Sequence, residues 1–70
     1  MIPEVGAIYR HQNGNLYKVI GLAKHSETLE DMVIYEPQYE CREFPGKLWA
    51  RPLSNWLSLR GGKPRFERVS

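Results

Sequence analysis

Ala7-Ile8-Tyr9-Arg10-His11 places Ile8 and Arg10 on one side and Ala7, Tyr9 and His11 on the other, the period of a strand with Tyr9 turned inward. Gln12-Asn13-Gly14-Asn15 follows, and Asn-Gly predicts a hairpin turn because both residues tolerate positive φ. From Leu16 to Lys24 the apolar residues fall on both faces, Tyr17, Val19 and Ala23 on one and Leu16, Ile20 and Leu22 on the other. Such a strand is covered on both sides or changes its facing midway. Gly21 sits at the middle, where a missing side chain permits a bulge or bend, so the reading is a bent strand shared by two sheets.

His25-Ser26-Glu27-Thr28-Leu29-Glu30-Asp31 breaks the pattern with polar, cap-forming residues, and Thr28 followed by Asp31 resembles an imperfect capping box, which fits a loop or a single helical turn. Met32-Val33-Ile34-Tyr35-Glu36 is a β-branched and aromatic strand stopped by Pro37. Residues 37–47 have no clear period. They form either a long loop that docks Tyr39 and Phe44 on the core or, the reading preferred here, a continued strand that turns at Pro45-Gly46. Leu48-Trp49-Ala50-Arg51 reads as a further strand ended by Pro52. Pro52 suits a first helical position, and Leu53, Trp56 and Leu57 share one face of a helical turn that plugs one end of a barrel. Arg60-Gly61-Gly62-Lys63-Pro64 reads as a flexible loop, and residues 65–69 as a last short strand anchored by Phe66. The whole is mostly β: a small SH3-like five-stranded barrel with one short helical turn before the last strand, with an open β-roll as the alternative.

Composition limits the rest. A chain of 70 residues with 41% hydrophobic and 26% charged residues is one domain, 1–70, with an ordinary globular mixture. No run approaches the roughly 18 apolar residues of a membrane span, and Met1-Ile2-Pro3-Glu4 lacks the basic and apolar regions of a signal peptide; a cytoplasmic protein away from the membrane is expected. The lone Cys41 makes no internal disulfide, and no Cys/His pair stands at zinc spacing, so neither metal nor cofactor is expected. The net charge of +2 is unevenly spread. Residues 1–41 carry three basic and six acidic side chains, and residues 42–70 seven basic and two acidic ones. Either the halves pack together and neutralise each other, or the second half presents a basic face to an anionic partner such as a nucleic acid.

Candidate chemistry is sparse. His25, with Glu27 and Thr28 close behind it, allows a catalytic imidazole and carboxylate to be imagined, but a triad needs convergence in space that adjacency in sequence does not supply. The structural alternative is that the His25 ring hydrogen-bonds a loop backbone group while Thr28 caps the turn. Arg10 and Arg51 lie within apolar strands. Each either snorkels, stacks on an aromatic ring or pairs with a carboxylate such as Glu27 or Glu36, or else offers a planar donor fork to a phosphate or carboxylate. If Tyr17, Tyr35 or Trp49 stood exposed near these guanidinium groups, with Arg65 nearby, the combination would suit single-stranded nucleic acid or a peptide.

The segments Gly6-Ala7-Ile8-Tyr9-Arg10-His11, Gly14-Asn15-Leu16-Tyr17-Lys18-Val19, Ala23-Lys24-His25-Ser26-Glu27-Thr28, Val33-Ile34-Tyr35, Trp49-Ala50-Arg51-Pro52-Leu53 and Arg65-Phe66, taken in that order, resemble a family of short bacterial proteins known only as a domain of unknown function. Ala50 and Trp56 depart from that pattern, at packing positions. The resemblance implies a shared fold and a bacterial, cytosolic setting, and brings no activity or cofactor. Three functions follow as expectations. The first is a binding module for nucleic acid or another anionic ligand. The second is a protein-interaction module with an exposed strand edge, able to self-associate; the last is a small enzyme using His25.

Overall fold

The computed structural model describes residues 2–39 and 47–70. Within them the chain forms β1 (Ile8–His11), β2 (Leu16–Lys24), β3 (Asp31–Pro37), β4 (Trp49–Pro52), the single helical turn α1 (Leu53–Trp56), β5 (Leu59–Arg60), β6 (Lys63–Pro64) and β7 (Phe66–Arg68). Five strands make one antiparallel sheet in the order β4-β3-β2-β1-β7, and β5 and β6 form a separate small hairpin. The expected turn at Pro45-Gly46, the docking of Phe44 and the environment of Cys41 lie outside the described residues. No helix among the described residues is long and apolar enough to cross a membrane.

The β1–β2 connection shows how local chemistry sets register. His11 N–H donates to the Asn15 carbonyl at 2.9 Å and Gly14 N–H to the His11 carbonyl at 2.8 Å, while Gly14 takes φ +94°. This is a tight turn closed by a left-handed glycine. Only Gly14 of the Asn-Gly pair adopts positive φ, so the turn differs from the two-residue form in which both would. The register that results pairs Tyr9 with Tyr17 and turns both rings inward.

In β2 the ladder to β3 slips between Val19 and Gly21: Val19 faces Tyr35, Gly21 faces Ile34, and Ile20 is the extra residue. The expected bulge is therefore present, but it bends a strand within one sheet and does not share it between two. Nor does it require glycine, because Gly21 keeps a negative φ and an added Cβ would meet nothing within 4 Å. The polar stretch 25–30 is a turn in which Leu29 N–H reaches the His25 carbonyl at 2.9 Å, and Leu29 takes φ +61° while remaining 68% exposed.

Pro52 ends β4, paired with Met32 at ψ 137°, and stands before the helical turn instead of opening it. Of the apolar residues expected on one face of the turn, Trp56 is buried and Leu53 packs on the core, whereas Leu57 stays 45% exposed. The expected flexible loop at 60–64 is instead the turn and second strand of the β5–β6 hairpin. Gly61 and Gly62 take φ +61° and +79°, Leu59 pairs with Pro64, and Arg60 pairs with Lys63. Two consecutive glycines between short strands favour a tight hairpin turn because neither has a Cβ to oppose positive φ.

The core consists of Ala7, Tyr9, Tyr17, Val19, Val33, Tyr35, Trp56 and Phe66, with Trp49 and Leu53 packed against it. Five of these eight buried core residues are aromatic. They interlock edge to face, with Tyr9–Trp56 at 5.4 Å, Tyr17–Tyr35 at 5.3 Å and Tyr35–Trp56 at 5.2 Å, whereas Trp56 and Phe66 stack at 3.7 Å. Such pairs add about 0.5–1.5 kcal/mol each beyond the area they bury, which helps a short chain hold together.

Candidate functional site

Arg51 sits on β4 opposite Val33, so alternation turns it to the core side of the sheet. Its Nε donates to the Tyr35 hydroxyl at 3.2 Å, its Nη1 to Asn55 Oδ1 at 2.6 Å, and its guanidinium carbon lies 5.2 Å from the Phe66 ring centroid. The expected carboxylate partners, Glu27 and Glu36, do not take part. Both acceptors are neutral and no carboxylate among the described residues pairs with Arg51, while the face of an aromatic ring adds a weak attraction.

The helical turn links this group to a second guanidinium. Ser58 Oγ donates to the Asn55 carbonyl at 2.5 Å and accepts from Arg65 Nε at 2.6 Å. Asn55 therefore fixes Arg51 through its side chain and Arg65 through its backbone and Ser58. A third guanidinium, that of Arg60, is carried by the β5–β6 hairpin. Gln12 Nε2 ties that hairpin to the β1–β2 turn by approaching the carbonyls of Arg60, Lys63 and Pro64, each at 3.0 Å.

His11 stands where these parts meet. It pairs with Phe66 across the β1–β7 ladder, and its ring packs 4.8 Å from Phe66 and 6.4 Å from Tyr17. Its Nδ1 accepts the Asn13 N–H at 3.1 Å, which leaves the neutral ring to carry its proton on Nε2. Burial pushes the His11 pKa down, as do the charges of Arg51, Arg60 and Arg65, and hydrogen bonding with Asn13 only partly opposes them. Among the described residues the ion pairs are Lys24–Asp31 at 2.7 Å and Arg68–Glu4 at 2.5 Å, so no carboxylate offsets Arg51, Arg60 or Arg65. Only the second of these pairs joins the acidic and basic halves of the chain.

The structure thus gathers Arg51, Arg65, Tyr17, Tyr35 and Trp49 from the residues the sequence singled out. Tyr17 and Tyr35 are only 8% and 5% exposed and are engaged with other rings, so neither offers a face for a nucleic-acid base. Arg10 lies on the other side of the sheet from Tyr9, exposed and paired in register with Leu16 and Glu67. His25, Glu27 and Thr28 belong to the β2–β3 turn. His25 Nδ1 accepts the N–H groups of Glu27 at 3.1 Å and Thr28 at 3.3 Å, and the Thr28 hydroxyl bonds Glu30, not Asp31. The His25 ring therefore serves as an acceptor for turn backbone, and the Glu27 carboxylate makes no hydrogen bond to it. No group of three or more metal-ligating side chains occurs among the described residues.

Sequence reasoning missed His11, Asn55, Ser58 and Arg60 as site residues. His11 carried a signal, because alternation put it on the side of Tyr9; Asn55 and Ser58 matter only through a turn that no periodicity encodes.

A model of a family described as protein of unknown function (DUF1653) matches residues 7–68. The chain belongs to the DUF1653 family. No curated protein and no solved structure matches it. In this DUF1653 chain the matched span runs from just before β1 to the end of β7 and includes every residue of the cation cluster.

Proposed function

We propose that this DUF1653 protein is a non-enzymatic binding module for an anionic ligand, seated on Arg51, Arg60 and Arg65 beside His11. The observation that carries the reading is that Asn55 and Ser58 tie the Arg51 and Arg65 guanidinium groups together, with Arg51 over the Phe66 ring that packs on His11 and no carboxylate paired to either among the described residues. Fixed cations with unspent donors are what an incoming phosphate or carboxylate needs, because the protein has already ordered them. Nη2 of Arg51 and both Nη groups of Arg65 have no protein acceptor among the described residues. An SH3-like barrel is the architecture we favour, because Arg51 of edge strand β4 reaches over Phe66 of edge strand β7 and so draws the two edges toward each other. The setting that fits is the bacterial cytoplasm, with nucleic-acid phosphates among the anionic ligands.

A protein partner is the second reading. Strand pairing is disfavoured by the edges themselves, since β4 is short and ends in Pro52 and β7 is three residues long and carries Arg68. A shallow groove lined by Leu29, Leu53 and Leu57 and rimmed by Glu30 and Asp31 is the better surface for it. An amide NMR titration with inorganic phosphate and short single-stranded RNA and DNA pools, at low and then moderate salt, separates the readings. Shifts centred on His11, Arg51 and Arg65 that fade with salt are expected. Shifts at none of these residues with any probe would remove the anion-binding reading.

A further inference from the structure

We propose that the cluster is a receptor for a phosphate monoester dianion, held by the Nη groups of Arg65 and Nη2 of Arg51. The inference rests on the anion-binding reading and names its ligand. Charge comes first. Among the described residues no carboxylate pairs with the guanidinium groups of Arg51, Arg60 and Arg65, and a carboxylate or a phosphodiester, with one negative charge each, neutralises such a surplus less fully than a dianion does.

Donor geometry is the second argument. A planar carboxylate is best held side-on by two parallel N–H groups of one guanidinium. In Arg51 the Nε belongs to Tyr35 and Nη1 to Asn55, and in Arg65 the Nε belongs to Ser58. In these two residues the edges that include Nε are therefore spent, whereas Arg65 keeps its Nη1–Nη2 edge and the Arg60 guanidinium donates no hydrogen bond among the described residues. What remains is a single Nη2 from Arg51 on β4, the end of Arg65 beyond β6, and the exposed Arg60 on β5. Donors from separate elements suit three oxygens arranged around phosphorus better than two oxygens in a plane.

His11 fits the same ligand. The charged groups that bear on it are Arg51 from β4, Arg60 from β5 and Arg65 from the β6–β7 connection, with the Tyr17 ring from β2 packed near it. These cations oppose protonation, and a proton on Nδ1 would also have to displace the Asn13 N–H. The surroundings favour the uncharged ring, and a phosphate monoester loses its second proton near pH 6. Affinity therefore follows the ionisation of the ligand.

The test is an NMR or calorimetric titration of the full chain with phenyl phosphate, dimethyl phosphate and acetate at low salt. Phenyl phosphate is expected to bind at His11, Arg51 and Arg65 about tenfold or more tightly than either monoanion, a difference of about 1.4 kcal/mol. That preference should shrink as pH falls below about 6. Arg65→Gln should weaken phenyl phosphate several-fold, and Arg60→Gln, at an exposed residue outside the core, should weaken it less. Equal binding of all three probes at the cluster would overturn the dianion inference and leave the anion-binding reading standing, whereas no binding there would overturn both. A dinucleotide with and without a 5′-phosphate sets the source. Tighter binding of the phosphorylated form than of phenyl phosphate assigns a nucleic-acid end, and equal binding assigns the phosphate group alone.

Discussion

Individual side chains in this chain are placed by competition between partners. Trp56 wins the central position because it can stack on Phe66 and receive the edges of Tyr9 and Tyr35 at once. Trp56→Ala is expected to cost about 3–5 kcal/mol. A chain of this length has a total stability of about 4–10 kcal/mol, so the variant should be largely unfolded on warming, as thermal denaturation followed by circular dichroism would show. Leu29 is the opposite case: it is 68% exposed and holds φ +61°, which a leucine adopts only at a cost of about 1–2 kcal/mol. Leu29→Gly should relieve that strain and, after the entropy cost of glycine, raise stability by roughly 0.5–1 kcal/mol, visible as a higher urea midpoint. A lower midpoint would mean that the leucine side chain stabilises the turn more than its exposure implies.

At the scale of elements, the strands of the sheet were readable because each rests on a short-range pattern. The Asn13-Gly14 turn, the alternation through Tyr9, the irregularity near Gly21 and the β-branched run before Pro37 all lie within a few residues of the features they specify. The β5–β6 hairpin was missed although Gly61-Gly62 marked it, because two-residue strands show no alternation. Its position depends on Gln12, far away in sequence. The glycines also divide by need. Gly14→Ala should lose about 1–2 kcal/mol because φ +94° has to be kept for the β1–β2 register. Gly21→Ala should be neutral or stabilising by up to about 1 kcal/mol, since its backbone suits alanine and space is available. Equilibrium unfolding of both variants in parallel checks the pair, and equal destabilisation would show that the bulge depends on glycine.

For the whole molecule, the site was legible only in part because it is assembled from four separate parts of the chain. Arg51 stood out as a charge inside an apolar strand, but whether it faced a carboxylate or open donors is decided by Asn55 and Tyr35. Arg10 looked equivalent in sequence and lies on the opposite face. The fold also couples His11 to pH. Its protonation is harder in the folded chain than in the unfolded one, so the unfolded state binds more protons and stability rises with pH. The contribution is complete above the ordinary value of 6.5 and declines as pH falls through and below it. His11→Gln should therefore flatten the change in urea midpoint between about pH 7.5 and about pH 5.5 relative to the parent chain. An unchanged slope would assign the pH dependence to other groups.

The pairing of β7 with β1 has a further consequence in time. The β1–β2 and β2–β3 ladders close over short stretches of chain, whereas β7 must return from Phe66 to His11 across nearly the whole sequence. Closing so long a loop is entropically the hardest step of assembly. Phe66 joins His11 and Arg51 only when that step is complete, so the cation cluster does not exist in a partly folded chain. A ligand that occupies the cluster at a hundred times its dissociation constant would hold the last strand in place with about 2.7 kcal/mol and act as a latch on the finished fold.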